Sequence, residues 1–335
     1  MALALFSLML ALVLADVGVR VAGIGGRVYE PRRFEPDGRV PFVQIPRGPI
    51  AYRPGANFSS VYDMTGLPGG ESAGKIRYTI NAMGFRGPEV SASKPEGIVR
   101  VACLGDSITF GEGVKEPECY PRRLEAILNA GGESPRYEVL NCGVQGHGTI
   151  DEYVYYTVHV SKLDPDLVTL GFFLNDAMDG AETIRRNEEM TRAWKISPFS
   201  RVSRISEILE RGRIARRMQA DYFSSIRESF KSKRWADSQR AIGDLRRSVE
   251  RGGGRLAVVV FPVLWALDSE YPFEAEHRLI ADAMAKEGVA CFDLLSQLRG
   301  RAASTLWVHP TDHHPNEIVQ EMAAVALAKW IEAGQ

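Results

Sequence analysis

The chain has 335 residues, 45% hydrophobic and 25% charged, which is enough to bury a core of α/β size and too apolar for a chain disordered overall. A formal net charge of -1 offers no global attraction for nucleic acid, so no nucleic-acid partner is expected. The four cysteines, Cys103, Cys119, Cys142 and Cys291, show no C-x-x-C spacing and three lie in apolar runs, which favours buried thiols over a disulfide framework or a zinc site.

Residues 2–15, ALALFSLMLALVLA, are uninterruptedly apolar, long enough for a signal-peptide core and short for a full bilayer span. Extension through Asp16 and Arg20 to residue 24 reaches spanning length, with the two charges paired at i, i+4. No small-x-small cleavage site follows, so residues 1–24 are expected to be an uncleaved membrane anchor, with a cleaved signal segment as the alternative. Arg20, Arg27, Arg32 and Arg33 follow the segment and no charged side chain precedes it, an arrangement that by the positive-inside rule keeps the body cytoplasmic. Residues 25–95 are rich in Gly, Pro and Arg and read as a tether and loop-rich lead-in. Within them KIRYTINAMGF, 75–85, predicts an edge hairpin.

From residue 98 onward strands and helices alternate, the signature of a parallel sheet with helices on both faces. Strands are expected at 101–104, 137–141, 166–173, 255–261 and 289–294, and helices at 120–129, 150–163, 274–286 and 315–331. These make one doubly wound sheet of about five parallel strands. Residues 177–254 interrupt the alternation with a helical, basic insert. Val202, Ile205, Ile208, Leu209, Ile214 and Met218 recur at helical spacing, with Arg201, Arg204, Arg211, Arg213, Arg216 and Arg217 on the remaining faces. A membrane-surface helix and a packed cap helix both fit, and Glu207, Glu210 and Asp221 dilute the charge toward the second. The insert is expected to overhang the strand edge and select substrate.

The chemistry concentrates where strands end. RVACLGDSITFG, 100–111, is a buried strand that Gly105 turns sharply to release Asp106 and Ser107. Ser107 is either a helix cap or a nucleophile with backbone N–H groups nearby to meet an oxyanion. NCGVQGHG, 141–148, leaves its strand through a glycine-rich loop in which the N–H of Gly146 is unobstructed, and His147 sits within reach of a substrate there. LGFFLND, 170–176, ends at Asn175, whose carboxamide can donate to an oxyanion. WVHPTDHHPN, 307–316, places Asp312 and His314 before the last helix. His309, Asp312, His313 and His314 also allow a metal reading, but no Cys or acidic ligand at zinc spacing accompanies them, so neither metal nor cofactor is expected. His159 and His277 read as structural or surface residues.

Gly-Asp-Ser after the first strand, Asn-x-Gly-x-x-Gly after the second, Asn-Asp after the third and Asp-x-His-Pro-Asn before the last helix resemble the SGNH/GDSL hydrolase family in order and context, from residue 100 to the C-terminus. YTINAMGFRG is similar to the segment preceding the core in membrane-anchored bacterial members. The resemblance implies a three-layer α/β/α sandwich of flavodoxin-like type over residues 96–335. It implies Ser107 as nucleophile, His314 as general base, and an oxyanion hole from the backbone N–H of Ser107, that of Gly146 and the side chain of Asn175. Many members carry Asp-x-x-His-Pro, whereas here Thr311 stands three before His314 and the carboxylate is Asp312; its role is the third triad member or the cap of the last helix. The absence of Gly-x-Ser-x-Gly around Ser107 separates the chain from the ordinary α/β-hydrolase elbow.

The implied activity is a serine esterase acting on a small-molecule or glycan ester, O-acetyl carbohydrate among them. An O-acyltransferase using the same residues and a non-catalytic glycan-binding or scaffold protein are the alternatives. By family habit the catalytic body is periplasmic or extracellular, against the local arginines.

Overall fold

In a computed structural model, which describes residues 2–23, 32–38, 40–65, 67, 74–132, 136–178 and 202–334, the chain opens with helix α1 (Ala2–Val21). Among the described residues no helix is long and apolar enough to cross a membrane, so the expected spanning anchor is not supported. In the last turns of α1 polar groups are engaged with protein. Asp16 pairs with Arg20 at 2.8 Å and accepts from Ser203 Oγ and the Ile205 N–H, while Arg20 donates to the Val202 carbonyl.

The lead-in carries more regular structure than a tether with one hairpin. β1 (Arg33–Pro36), β4 (Asn57–Val61) and β5 (Lys75–Thr79) form an antiparallel sheet, and β2 (Phe42–Gln44) pairs with β3 (Ile50–Tyr52). Residues 75–79 pair with β4 rather than closing on 80–85 as a hairpin; the turn that follows folds back only through an isolated bridge between Ile80 and Arg86. Asn81 builds that turn, its Oδ1 accepting from the N–H groups of Met83 and Phe85.

The five expected core strands form: β6 (Ile98–Gly105), β7 (Arg136–Gly143), β8 (Leu167–Phe173), β9 (Arg255–Phe261) and β10 (Ala290–Asp293). All pairings are parallel, in the spatial order β10-β9-β8-β6-β7. Between them lie α2 (Ser107–Phe110), α3 (Tyr120–Leu128), α4 (Thr149–Val158), α5 (Arg204–Lys231), α6 (Lys233–Arg251), α7 (Glu274–Glu287) and α8 (Leu295–Leu298). A two-stranded ribbon, β11 (Trp307–His309) and β12 (Asp312–Pro315), precedes α9 (Glu317–Ala333). α3 packs with α9 on one face of the sheet, and α4, α6 and α7 lie together on the other, which gives three layers.

The described part of the insert, from residue 202, is helical as expected, and residues 179–201 lie outside the described residues. Its second helix is not an overhang. α6 packs beside α4 as the crossover from β8 to β9, burying Trp235, Ile242, Leu245 and Val249. α5 buries only Ser225, Ile226, Ser229 and Phe230 near its C-terminal end, and its first half runs beside α1 with Leu209 exposed, as is Val202 just before the helix. Cys103, Cys119 and Cys142 are free and buried, and Cys291 is half-buried and free.

Candidate active site

Counted along the sheet's own strands, the order is 2-1-3-4-5, so the winding reverses between β6 and β8. Open parallel sheets leave a crevice at the carboxyl ends of the strands at such a point. The last residue of β6, Gly105, is level with Gly143 on β7 and with Gly171 on β8. Three loops therefore leave the sheet side by side, and Ser107, Gly146 and Asn175 follow their strands by two or three residues.

Gly105 sits at φ 148°, and a Cβ there would run into Thr109 Oγ1, so only glycine lets α2 settle onto the strand end. Asp106, not Ser107, caps α2, its Oδ1 accepting from the Ile108 N–H at 2.8 Å. Ser107 is the first residue of the helix and half-buried, and its hydroxyl, 3.4 Å from Asp106 Oδ2, has a nearer partner. That partner is His314: Ser107 Oγ lies 2.8 Å from His314 Nε2. His314 Nδ1 lies 2.5 Å from Asp312 Oδ1, which also accepts the backbone N–H of His314 at 3.2 Å. Asp312 does not cap α9; Asn316 does, its side chain accepting from the Ile318 N–H. Both bland roles weighed from the sequence, for Ser107 and for Asp312, are thus filled by neighbours.

The ionisation of the trio follows from burial and pairing. Burial pushes the Asp312 carboxyl up, but the charge and hydrogen bond of His314, with Arg32 and Tyr62 behind, outweigh it and hold the group well below the usual carboxylate range. Burial likewise disfavours a charged His314, yet Asp312 and the charge of Glu112 raise it above the ordinary histidine value of 6.5. Asp106 beside the serine is pushed up to about 6 by burial.

Gly146 has φ 81°, a conformation that suits glycine, and it is half-buried in the loop after β7. Asn175 lies in a short 3-10 turn, Leu174–Ala177, fixed by Asp176, whose Oδ2 accepts the Phe173 N–H at 2.7 Å. Among the described residues the buried Asn175 Oδ1 has no hydrogen-bond partner. His147 does not face a substrate: it is buried and its Nε2 lies 2.6 Å from the Ile50 carbonyl. His309 bonds the Asp63 carbonyl and Thr311, His159 the Met83 carbonyl, and His277 Asp293 and Tyr271. The exposed His313 stacks on Trp307 with ring centroids 3.9 Å apart. Among the described residues no group of three or more His, Cys, Asp and Glu side chains is arranged to hold a metal ion.

Three residues at the site went unread in the sequence. Tyr62 donates its hydroxyl to Asp312 Oδ2 at 2.9 Å. Arg32 lies 2.5 Å from Glu112 and 3.5 Å from Asp312. Glu112 is itself buried, accepting from Ser60 and Tyr78. Glu112 alone left a local trace, a carboxylate enclosed by glycines in FGEG; Tyr62 and Arg32 reach the site only through the fold of the lead-in.

A family model described as GDSL-like Lipase/Acylhydrolase family matches residues 103–321. No curated protein matches the chain. Similar solved structures include a lipolytic protein of the G-D-S-L family from Desulfitobacterium hafniense DCB-2, at 11% identity and TM-score 0.43, covering 69% of this chain and 98% of that one. The acetyl xylan esterase AlAXEase is similar at 15% identity and TM-score 0.44, covering 70% and 99%. A catalytic mutant of Axe2, an acetylxylan esterase from Geobacillus stearothermophilus, is similar at 13% identity and TM-score 0.44, covering 71% and 94%.

Proposed function

Because the chain belongs to the GDSL-like lipase/acylhydrolase family and is an SGNH-type carboxylic ester hydrolase, we propose that it cleaves its ester through an acyl-enzyme on Ser107, with His314 as general base and Asp312 orienting it. The observation that carries this reading is the 2.8 Å contact between Ser107 Oγ and His314 Nε2, backed by Asp312 on the other ring nitrogen. A serine hydroxyl is a poor nucleophile until a positioned imidazole accepts its proton.

Ser107 Oγ attacks the ester carbon while its proton passes to His314 Nε2. The oxyanion is met by the N–H groups of Ser107 and Gly146 and by the Asn175 carboxamide. Collapse breaks the bond to the alcohol, which leaves with the proton from His314, and the acyl group stays on Ser107. Water then attacks, gives its proton to His314, and the acid is released as Ser107 recovers its hydrogen. Asp312 keeps its charge throughout and stabilises the imidazolium, as in other serine triads.

The proposed substrate is a small acyl ester, O-acetyl groups on carbohydrate in particular, the class suggested by the resemblance of the four motifs. Turnover of p-nitrophenyl acetate and of acetylated xylan by the full chain, beside Ser107→Ala, tests both levels. Loss of both activities in Ser107→Ala is expected. Activity surviving in the variant overturns Ser107 as nucleophile, and turnover confined to long-chain esters overturns the carbohydrate assignment. An exported catalytic body is proposed alongside; a C-terminal reporter active only in the cytoplasm would overturn it.

A further inference from the structure

The Asp312 carboxylate is held on both oxygens. Oδ1 takes the ring and backbone N–H groups of His314, and Oδ2 takes the Tyr62 hydroxyl at 2.9 Å with Arg32 at 3.5 Å. Tyr62 follows β4 and Arg32 precedes β1, so both come from chain upstream of residues 103–321, the part that the family model matches. Behind them sits a second carboxylate. Glu112 is 1% exposed; its Oε1 accepts from Ser60 Oγ and Tyr78 OH, each at 2.8 Å, and meets Arg32 at 2.5 Å, while its Oε2 is buried with no hydrogen-bond partner among the described residues.

Arg86, fully buried, fixes this second carboxylate in place. It donates to the carbonyls of Phe110, Gly111 and Val114, which bracket Glu112. The Tyr78 hydroxyl in turn accepts the Gly113 N–H. Gly113 could carry no side chain, since a Cβ would strike Val308 and the Tyr62 hydroxyl. The loop, the lead-in and the β11–β12 ribbon are thus packed against one another at Glu112.

Among the described residues Arg32 is the one cation in ion-pair contact with the two buried carboxylates, while the nearby buried Arg86 gives its guanidinium N–H groups to the loop carbonyls, so the carboxylates beside His314 outnumber the cation paired with them. Low local dielectric makes such an imbalance count. When Ser107 gives up its proton, the imidazolium supplies the missing positive charge. We propose that Arg32, Tyr62 and Glu112 are positioning residues, through which the lead-in clamps Asp312 against His314 and matches the site's charge to the imidazolium rather than to the neutral base. The role rests on the Ser107–His314 reading above.

Other charged or titratable groups around His314 are Asp106 at the end of β6, Tyr78 on β5 and His313 on its own strand, and none of the test variants alters them. The discriminating readout is the acid limb of the pH profile, measured on the full chain both as kcat/KM for p-nitrophenyl acetate and as the rate of Ser107 labelling by a fluorophosphonate. Glu112→Gln removes the unmatched charge, and its acid limb is expected to move to lower pH by roughly half a unit. Arg32→Met removes the cation and is expected to move the limb the other way. Tyr62→Phe keeps the ring against His309 and drops only the hydroxyl. Its kcat is expected to fall about tenfold with KM little changed.

A merely structural cluster would lower the amount of active protein without shifting the limbs in opposite senses. Limbs that stay put or move together overturn the proposal. Wild-type kcat in Tyr62→Phe does so as well, even if the two charge variants do not fold. Should the wild-type chain label at Ser107 with the opposed shifts but release no p-nitrophenol, this proposal stands and the choice of ester as substrate falls.

Discussion

In the parallel sheet, residues 101–104, 167–172 and 256–261 are all buried and almost all apolar, so the sheet is fastened by area removed from water. The lead-in is seated on it by apolar and polar groups together: the rings of Tyr52, Phe58 and Tyr78 pack on Phe110, Arg86 spans three carbonyls at 2.6–2.8 Å over the rings of Tyr78 and Phe110, and Asn81 and Glu112 are equally buried. Apolar burial is non-directional and tolerates small shifts; a buried hydrogen-bond network holds only in one geometry. The sheet delivers Ser107, Gly146 and Asn175 to one edge. The lead-in supplies the orientation of the Asp312 carboxylate, where angle matters more than area.

The comparison can be broken most forcefully at the residue where the two regions meet. Asp312→Ala is expected to lower kcat on p-nitrophenyl acetate roughly 10³- to 10⁴-fold, the scale of triad disruption. Turnover close to wild type would remove Asp312 from the triad and leave the lead-in with no catalytic connection. On the sheet side alone, Asn175→Ala is expected to cost roughly 10² to 10³ in kcat with KM nearly unchanged, because its donor is used only when the oxyanion forms. A loss confined to KM would mean that Asn175 binds substrate instead.

On the lead-in side, Arg86→Met removes three donated hydrogen bonds, leaving Phe110 and Gly111 only the longer ones from Asn141 and Val114, and is expected to cost about 3 kcal/mol in urea unfolding. Stability within about 0.5 kcal/mol of wild type would show that the ring contacts on Phe110 hold this region without the Arg86 network. The smallest effect is in pH. His314 must be neutral to accept the serine proton, and Asp312 and Glu112 raise its proton affinity. The acid limb of kcat/KM is therefore expected above the ordinary histidine value of 6.5, with activity lost as pH falls through it. A limb below that value would mean that burial outweighs the two carboxylates.

Much of the sheet was legible because β6, β8 and β9 carry continuous apolar runs, the first two closed by a glycine or an Asn-Asp turn, and 255–261 was read to the residue. The lead-in was not. Its strands have three to five residues, too short for alternation to register, and their partners lie across turns rich in Gly and Pro. The crossover helix α6 was misread as an overhang, since a helix that covers a sheet and one that caps an edge share the same apolar spacing. His147 looked accessible because its loop is glycine-rich, and only the position of Ile50 shows it turned inward.

By itself the sequence determined the order of strands and helices and which residue types end three of those strands and lie before the last helix, since hydrophobic period and turn chemistry are local. It also carried Ser107, Asn175, Asp312 and His314 as candidates, though not their distances. Only the tertiary structure decided that His314 meets Ser107 across more than two hundred residues of chain, and that Asn316 rather than Asp312 caps α9. It alone brought Tyr62, Arg32 and Glu112 behind the triad, because charge pairing and hydroxyl direction depend on positions in space that no local pattern encodes.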